Sequence, residues 1–263
     1  SESDMRRIQI RETIVSHFEK EEKLFNMGIK TLSLFFIDEV AKYRQYNEDG
    51  NEVLGEYGVM FEEEYISVLN QYTTLFDTPY QKYLKEQCSD VSAVHKGYFS
   101  IDKKGHSVDS ALKRGSEFSD DISAYDLILK NKERLLSFEE PTRFIFSHSA
   151  LREGWDNPNV FQICTLKHSD SSTAKRQEVG RGLRICVNQA GNRMDAETCG
   201  DTVHTINMLT VIASDSYKDF VGGLQTEIKS VLYDRPTKAT SEYFNGRFIK
   251  TADGVSHQID QKA

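Results

Sequence analysis

The sequence predicts an α/β protein: a parallel sheet with helices on both faces. Apolar runs at Thr31–Ile37 (TLSLFFI), Arg143–Ser147, Val160–Leu166 and Ile206–Ala213 (INMLTVIA) are separated by longer, helix-patterned stretches. Within the runs apolar residues follow one another with little polar alternation, as strands buried on both faces require. Neighbouring parallel strands need crossover connections, and the intervening stretches are long enough to supply helices on each side.

Composition sets the outer limits. The 263 residues suffice for one large domain or two modest ones. No apolar run approaches the roughly 18–20 residues that cross a membrane, and the opening SESDMRR has no signal-peptide core. Four scattered cysteines, Cys88, Cys164, Cys186 and Cys199, form no CxxC pair, which speaks against a zinc site and for buried or incidental thiols in a reducing cytoplasm. A net charge of −8 does not mark a nucleic-acid binder, so local charge carries more weight. Thr165–Asp195 holds six Lys/Arg against three Asp/Glu, and Lys96–Ser116 five against two, while acidic residues gather between Glu39 and Glu64.

Taken in order, Asp4–Phe25 has the apolar spacing of a helix, which Gly28 ends. Thr31–Ile37 is the first buried strand. Two features around it mimic nucleotide motifs. GIKT at Gly28–Thr31 lacks the G-x-x-x-x-G-K-[ST] spacing of a phosphate-binding loop, and the acidic pair ending LFFIDE has no such loop upstream to serve. Asn47–Gly58 reads as a loop. Phe61–Gln87 reads as two helices broken near Asp77–Pro79, with Pro79 in the first turn of the second; the pair forms a helical insertion at about 47–90. Val91–Ser100 is a further strand and Asp102–Ser119 a polar loop. Asp120 or Asp121 can cap a helix running to Phe138, and Asn188–Val203 is a glycine-bearing connection. Asp215 can cap a last helix to about Leu232. Residues 1–233 thus form one domain, and 234–263 a linker or hairpin.

Chemistry concentrates between Phe144 and Ile185. A strand-like FIF runs into a polar turn carrying Gly154, Asp156, Asn157 and Pro158. Some twenty residues on, RQEVGRGLRI places Gln177, Arg181 and Arg184 at i, i+4, i+7, on one face of a continuous helix. Gly180 and Gly182 keep bulk off the surface between them, at about 1 kcal/mol each in helix propensity. Two arginines and an amide beside approachable backbone suit a polyanion such as a nucleotide triphosphate. A lone GRxxR equally marks a solvated helix face.

The wording SHSALREGWDNPNVFQICTL followed by RQEVGRGLR resembles motifs V and VI of superfamily-two helicases and translocases, closest to the restriction (Res) subunit of type III restriction–modification enzymes. SLFFIDEVAKYR resembles that subunit's motif IV, and VSAVHKGYFS a further segment of it. The likeness runs from about Ile14 to Leu232. It implies the second RecA-like lobe of an ATP-dependent DNA translocase and endonuclease. It further implies ATP and Mg²⁺ bound mainly by a first lobe, double-stranded DNA, a nuclease domain and a modification (methyltransferase) subunit as partners, and a cytoplasmic setting. By the resemblance Arg184 is the arginine finger, Arg181 its companion and Gln177 their polar support. Gly154, Asp156 and Gly180 lie at the nucleotide. Lys42, Arg44, His95, Lys96, Ser147 and His148 are nucleic-acid contacts, with Tyr98 a base-stacking candidate, although strand-end aromatics are more often core. No phosphate-binding loop and no acidic–acidic–lysine nuclease constellation occurs in these residues. The expectation is therefore a fragment that folds but does not hydrolyse ATP alone. The alternatives are a lobe of another superfamily-two DNA or RNA helicase, and a non-catalytic scaffold of the same fold.

Overall fold

A computed structural model describes residues 1–73, 78–101, 107–108, 127–128, 131–148, 156–167, 171–213, 215–233, 245–246, 248–250 and 256–259. The chain divides into two compact units, Ser1–Ser214 and Asp215–Ala263, the boundary falling before the last long helix and not after it.

The first unit begins with α1 (Glu2–Phe25), whose N-terminus is closed by a capping box between Ser1 and Asp4. Gly28, at φ +68°, turns the chain, a conformation that favours glycine. Strand β1 (Leu32–Phe36) follows, then a 3₁₀ turn (Val40–Lys42), a hairpin of β2 (Arg44–Tyr46) and β3 (Glu52–Leu54), and helices α2 (Glu56–Tyr72) and α3 (Pro79–Gln87). Next come β4 (His95–Tyr98), the short antiparallel pair β5 (Ser100–Ile101) and β6 (Ser107–Val108), and α4 (Lys132–Leu136). The unit finishes with β7 (Phe144–Ser147), β8 (Val160–Thr165), α5 (Ser172–Gly180), α6 (Ala196–Cys199), α7 (Val203–Ile206) and β9 (Thr210–Ile212).

Five strands form one sheet in the order β4-β7-β1-β8-β9, with every neighbouring pair parallel. Central β1 is buried along its whole length, which is why its sequence is apolar without alternation. The register Phe35↔Phe146 and Phe35↔Cys164 aligns these residues on one face, where they join Ile14 and Phe18 of α1 and Phe61 and Tyr65 of α2 in one core. On the opposite face Leu34, Phe36, Ile145 and Ile163 pack with Leu127, Ile128 and Leu135. The result is a RecA-like α/β arrangement with both faces covered. The helices inserted between β1 and β4 belong to the first core, and Pro79 does sit in the first turn of α3, behind a Thr78–Gln81 capping box.

Several expected elements differ. The loop expected at 47–58 is a hairpin turn: the Asn47 side-chain carbonyl accepts from the Asp49 and Asn51 amides, Gly50 turns at φ +80°, and α2 already starts at Glu56. The connection at 188–203 holds α6, capped by Asp195, and the start of α7. Ile206 ends α7 with its side chain in a third apolar cluster, so the last strand shrinks to three residues. Most of the polar loop at 102–119 and the expected caps at Asp120 and Asp121 lie outside the described residues; the helical turn that is described, α4, ends at Leu136.

The second unit comprises α8 (Asp215–Tyr233) and a hairpin of β10 (Phe248–Lys250) and β11 (Ser256–Gln258), paired antiparallel with Phe248 opposite Gln258. Among the described residues no helix is long and apolar enough to cross a membrane.

Candidate functional site

The stretches that resemble motifs V and VI follow β7 and β8, and the fold brings Asp156 of the first to Arg184 of the second. Helix α5 starts at Ser171, whose hydroxyl accepts from the Ala174 amide at 3.2 Å, and runs back beside the strand it left. Lys167 and the buried Glu178 pair at 2.5 Å and tie the helix to the end of β8. Six strand residues span about 20 Å and nine helical residues about 13 Å, so the return brings the chain after Gly180 down towards the start of β8. There Asn159 clamps it: its side-chain carbonyl accepts from the Val187 amide at 2.9 Å, and its amide donates to the carbonyls of Val187 at 2.9 Å and Lys30 at 3.0 Å. Asp156, three residues before Asn159, thereby meets Arg184, three residues before Val187.

The contact is open and charged. The Asp156 Oδ2 lies 4.0 Å from Arg184 Nε, and Oδ1 accepts from Lys132 Nζ at 3.1 Å. Arg184 Nη1 donates to the carbonyl of Leu183 at 2.9 Å and approaches that of Gly180 at 3.4 Å. Nη2 has no partner among the described residues. About half of the Arg184 side chain is exposed, so its outer donors face solvent. The two glycines differ. A Cβ on Gly182 would stand 2.4 Å from Leu209, an internal packing reason for glycine, whereas one on Gly180 would meet nothing within 4 Å.

One expectation is corrected here. Gln177, Arg181 and Arg184 do not share one face of a continuous helix: α5 ends at Gly180, Arg181 is its half-buried cap, and Arg184 stands in the bend beyond. The turn tightens because the Arg181 and Gly182 amides donate to the carbonyls of Glu178 and Val179. The cluster also does not sit at strand C-terminal ends, where ligands of open α/β sheets usually bind. Asp156 and Arg184 meet at the N-terminal end of β8. Gly154 lies outside the described residues.

The other candidates gather at the opposite edge. Tyr98, Ser147 and Phe36 stand in register at the C-terminal ends of β4, β7 and β1, with His148 half-buried just beyond and Ser147 and Tyr98 buried. Lys42 pairs with Asp38 at 2.6 Å and with Glu39 at 3.7 Å; desolvation works against its charge, but the Asp38 contact outweighs it and holds the ammonium above its ordinary range. Arg44 lies 3.4 Å from Glu52 across the hairpin. Phosphate would have to compete with these carboxylates. His95 is a correction: it is 5% exposed, its Nδ1 is 2.8 Å from the Tyr43 hydroxyl, and its Nε2 is 3.2 Å from Glu62. Both ring nitrogens are engaged inside the protein, and burial, with Lys96 and Arg44 nearby, pulls the imidazole down to about 4. His95 offers no donor to a phosphate. Lys96, half-buried on the same strand, remains near the surface.

Lys132 and Asn159 were not singled out from the sequence. Lys132 sits in a charged helical stretch like many others, and the second asparagine of NPN carries no local mark of its tertiary role. Among the described residues no group of three His, Cys, Asp or Glu side chains is placed to hold a metal ion. The donor set at Arg184 suits an anion.

No protein-family profile matches the chain. It is 44% identical over 183 residues to the Res subunit of the type III restriction–modification enzyme EcoP15I of Escherichia coli, a match covering 68% of this chain and 17% of that protein. The EcoPI Res subunit of Escherichia phage P1 gives the same identity and coverage. The StyLTI Res subunit of Salmonella typhimurium is 37% identical over 210 residues, 72% of this chain and 20% of that protein. The chain spans about a fifth of the length of these relatives and belongs, as a homologous segment, with the Res subunits of type III restriction–modification enzymes.

Proposed function

We propose that the first unit is the second RecA-like lobe of an ATP-dependent DNA translocase within a type III restriction endonuclease. The observation that carries the reading is Arg184: it lies 4.0 Å from Asp156, and among the described residues Nη2 has no partner and nothing stands within 4 Å of a Cβ on Gly180. A guanidinium so presented binds the terminal phosphate of a nucleotide held mainly by a first lobe, and stabilises the charge that develops as the phosphoryl group leaves. Arg181 supports the turn, and Gln177, exposed on α5, adds a polar contact. ATP brings its Mg²⁺ on the phosphate-binding loop side, outside this lobe. The strand-end set of Lys42, Arg44, Lys96, Ser147 and His148 touches the DNA backbone, in weak contacts that salt attenuates. In this reading a chain without a phosphate-binding loop does not hydrolyse ATP by itself.

The test is DNA-stimulated ATP hydrolysis by the full-length Res protein with its modification subunit. Arg184→Ala lowers turnover by about 10³-fold or more, as loss of an arginine finger does, while folding and DNA binding persist. Unchanged hydrolysis overturns the assignment of Arg184. If Arg181→Ala is also silent, the motor reading falls and a scaffold role replaces it.

A further inference from the structure

Two cations from separate elements converge on Asp156, and they are not held alike. Lys132, at the start of α4, donates to Oδ1 at 3.1 Å; Arg184 stands off Oδ2 at 4.0 Å and offers it only Nε. A guanidinium beside a carboxylate ordinarily closes into a two-pronged pair that uses both oxygens. Here Lys132 holds one oxygen and Arg184 Nε stays 4.0 Å from the other, while Nη1 donates to the carbonyl of Leu183, so the guanidinium and carboxylate are not closed into a two-pronged pair. Lys132, Asp156 and Arg184 are each between about a third and a half exposed, so the partition between the two cations is free to exchange.

We propose that Lys132 is a positioning residue for Arg184. By occupying Asp156 it keeps the carboxylate from capturing the arginine, which therefore stays available to the phosphate. This rests on the reading of Arg184 given above. Without Lys132 the carboxylate is released and closes on Arg184, and each turnover must first break that pair. The defect belongs to the chemical step and not to nucleotide affinity, because the nucleotide is gripped chiefly elsewhere.

The experiment measures kcat and KM for ATP, with target DNA and the modification subunit, on full-length Res protein carrying Lys132→Ala, Lys132→Arg, Asp156→Asn, the Lys132→Ala/Asp156→Asn pair, and Arg184→Ala. Residues that share one contact couple, so Lys132→Ala is expected to lower kcat about tenfold with KM changed less than about twofold. Lys132→Arg, which keeps a cation on Oδ1, restores most of the rate. In the Asp156→Asn background, where no carboxylate remains to capture the arginine, adding Lys132→Ala has no further effect. Unchanged kcat in Lys132→Ala, equal losses in the alanine and arginine variants, or additive losses in the double variant each overturn the proposal. If Arg184→Ala abolishes turnover while Lys132→Ala is silent, only the role of Lys132 fails. If Arg184→Ala is silent, the reading beneath it fails first.

Discussion

His95 shows how one residue changes meaning between sequence and structure. As a histidine at a strand end it looks like a surface donor; folded, it joins the Tyr43 hydroxyl, at the end of the 3₁₀ turn after β1, to Glu62 of α2. Neutral imidazole satisfies both neighbours if Nδ1 accepts from the hydroxyl and Nε2–H donates to the carboxylate. Its pKa of about 4 in the folded protein lies below the ordinary 6.5, so between those values the unfolded chain binds the extra proton. The stabilisation is therefore present above pH 6.5 and lost as pH falls towards 4. The full difference is about 3 kcal/mol at 1.36 kcal/mol per pKa unit. Fully buried His17, held down by burial and by Arg143 and Lys30, acts in the same sense. Glu62, raised by partial burial and by Asp90, opposes it, but is more exposed and counts for less. Urea unfolding midpoints measured from pH 7 to 4.5 are expected to fall, and His95→Gln should flatten part of that fall; a slope unchanged by the substitution contradicts the assignment.

Elements depend on short local devices. Helix α3 begins with the Thr78 hydroxyl accepting from the Gln81 amide at 3.2 Å while the Gln81 side chain accepts from the Thr78 amide at 3.3 Å. Thr78→Ala is expected to cost about 1 kcal/mol, read as a shift in the urea midpoint. The hairpin of β2 and β3 is fixed at its base by Gly55, whose amide donates to the Tyr43 carbonyl at 2.8 Å. A Cβ on Gly55 would lie 2.2 Å from the Ala41 carbonyl oxygen and 2.5 Å from the Lys42 carbonyl carbon, both backbone atoms that cannot step aside. Gly55→Ala is expected to destabilise by about 2 kcal/mol or more. Gly180→Ala is the contrast. With nothing within 4 Å among the described residues and a better helix former in place, the isolated chain gains up to about 1 kcal/mol; under the proposed function, a loss of ATP hydrolysis in the full-length protein would report an approach from outside.

Across the molecule a buried polar hub joins elements distant in sequence. Glu21 of α1 pairs with Arg143 at the start of β7, both fully buried, and accepts from the Thr31 amide before β1 at 3.1 Å and from Tyr80 of α3 at 3.4 Å. Arg143 also lies over the rings of Phe18 and Tyr83, within 6 Å of each centroid. One carboxylate thus fixes four elements relative to one another. Glu21→Gln keeps the shape but leaves Arg143 uncompensated, at an expected cost of about 3–5 kcal/mol in urea unfolding. Adding Arg143→Met removes the stranded charge and should recover part of that loss. A double variant no better than the single one would show that the charge was not the cause.

The strands β1, β7 and β8 were legible because a buried parallel strand leaves an unbroken apolar run, and α1 and α3 because periodicity and caps are local. The hairpin of β2 and β3 was not, since strands of three mostly polar residues leave no periodic mark. The end of α5 was hidden for another reason. QEVGRGLR continues a helical pattern, and what stops it is Asn159 holding Val187 and the packing of Leu209 against Gly182, neither of which is near in sequence. By itself the sequence determined the fold class and the family, which depend on residue type and on spacing along the chain. Only the tertiary structure decided that Asp156 and Arg184 meet at the start of β8, that Lys132 holds the other oxygen of Asp156, and that His95 is buried, because each is a contact between elements distant in sequence.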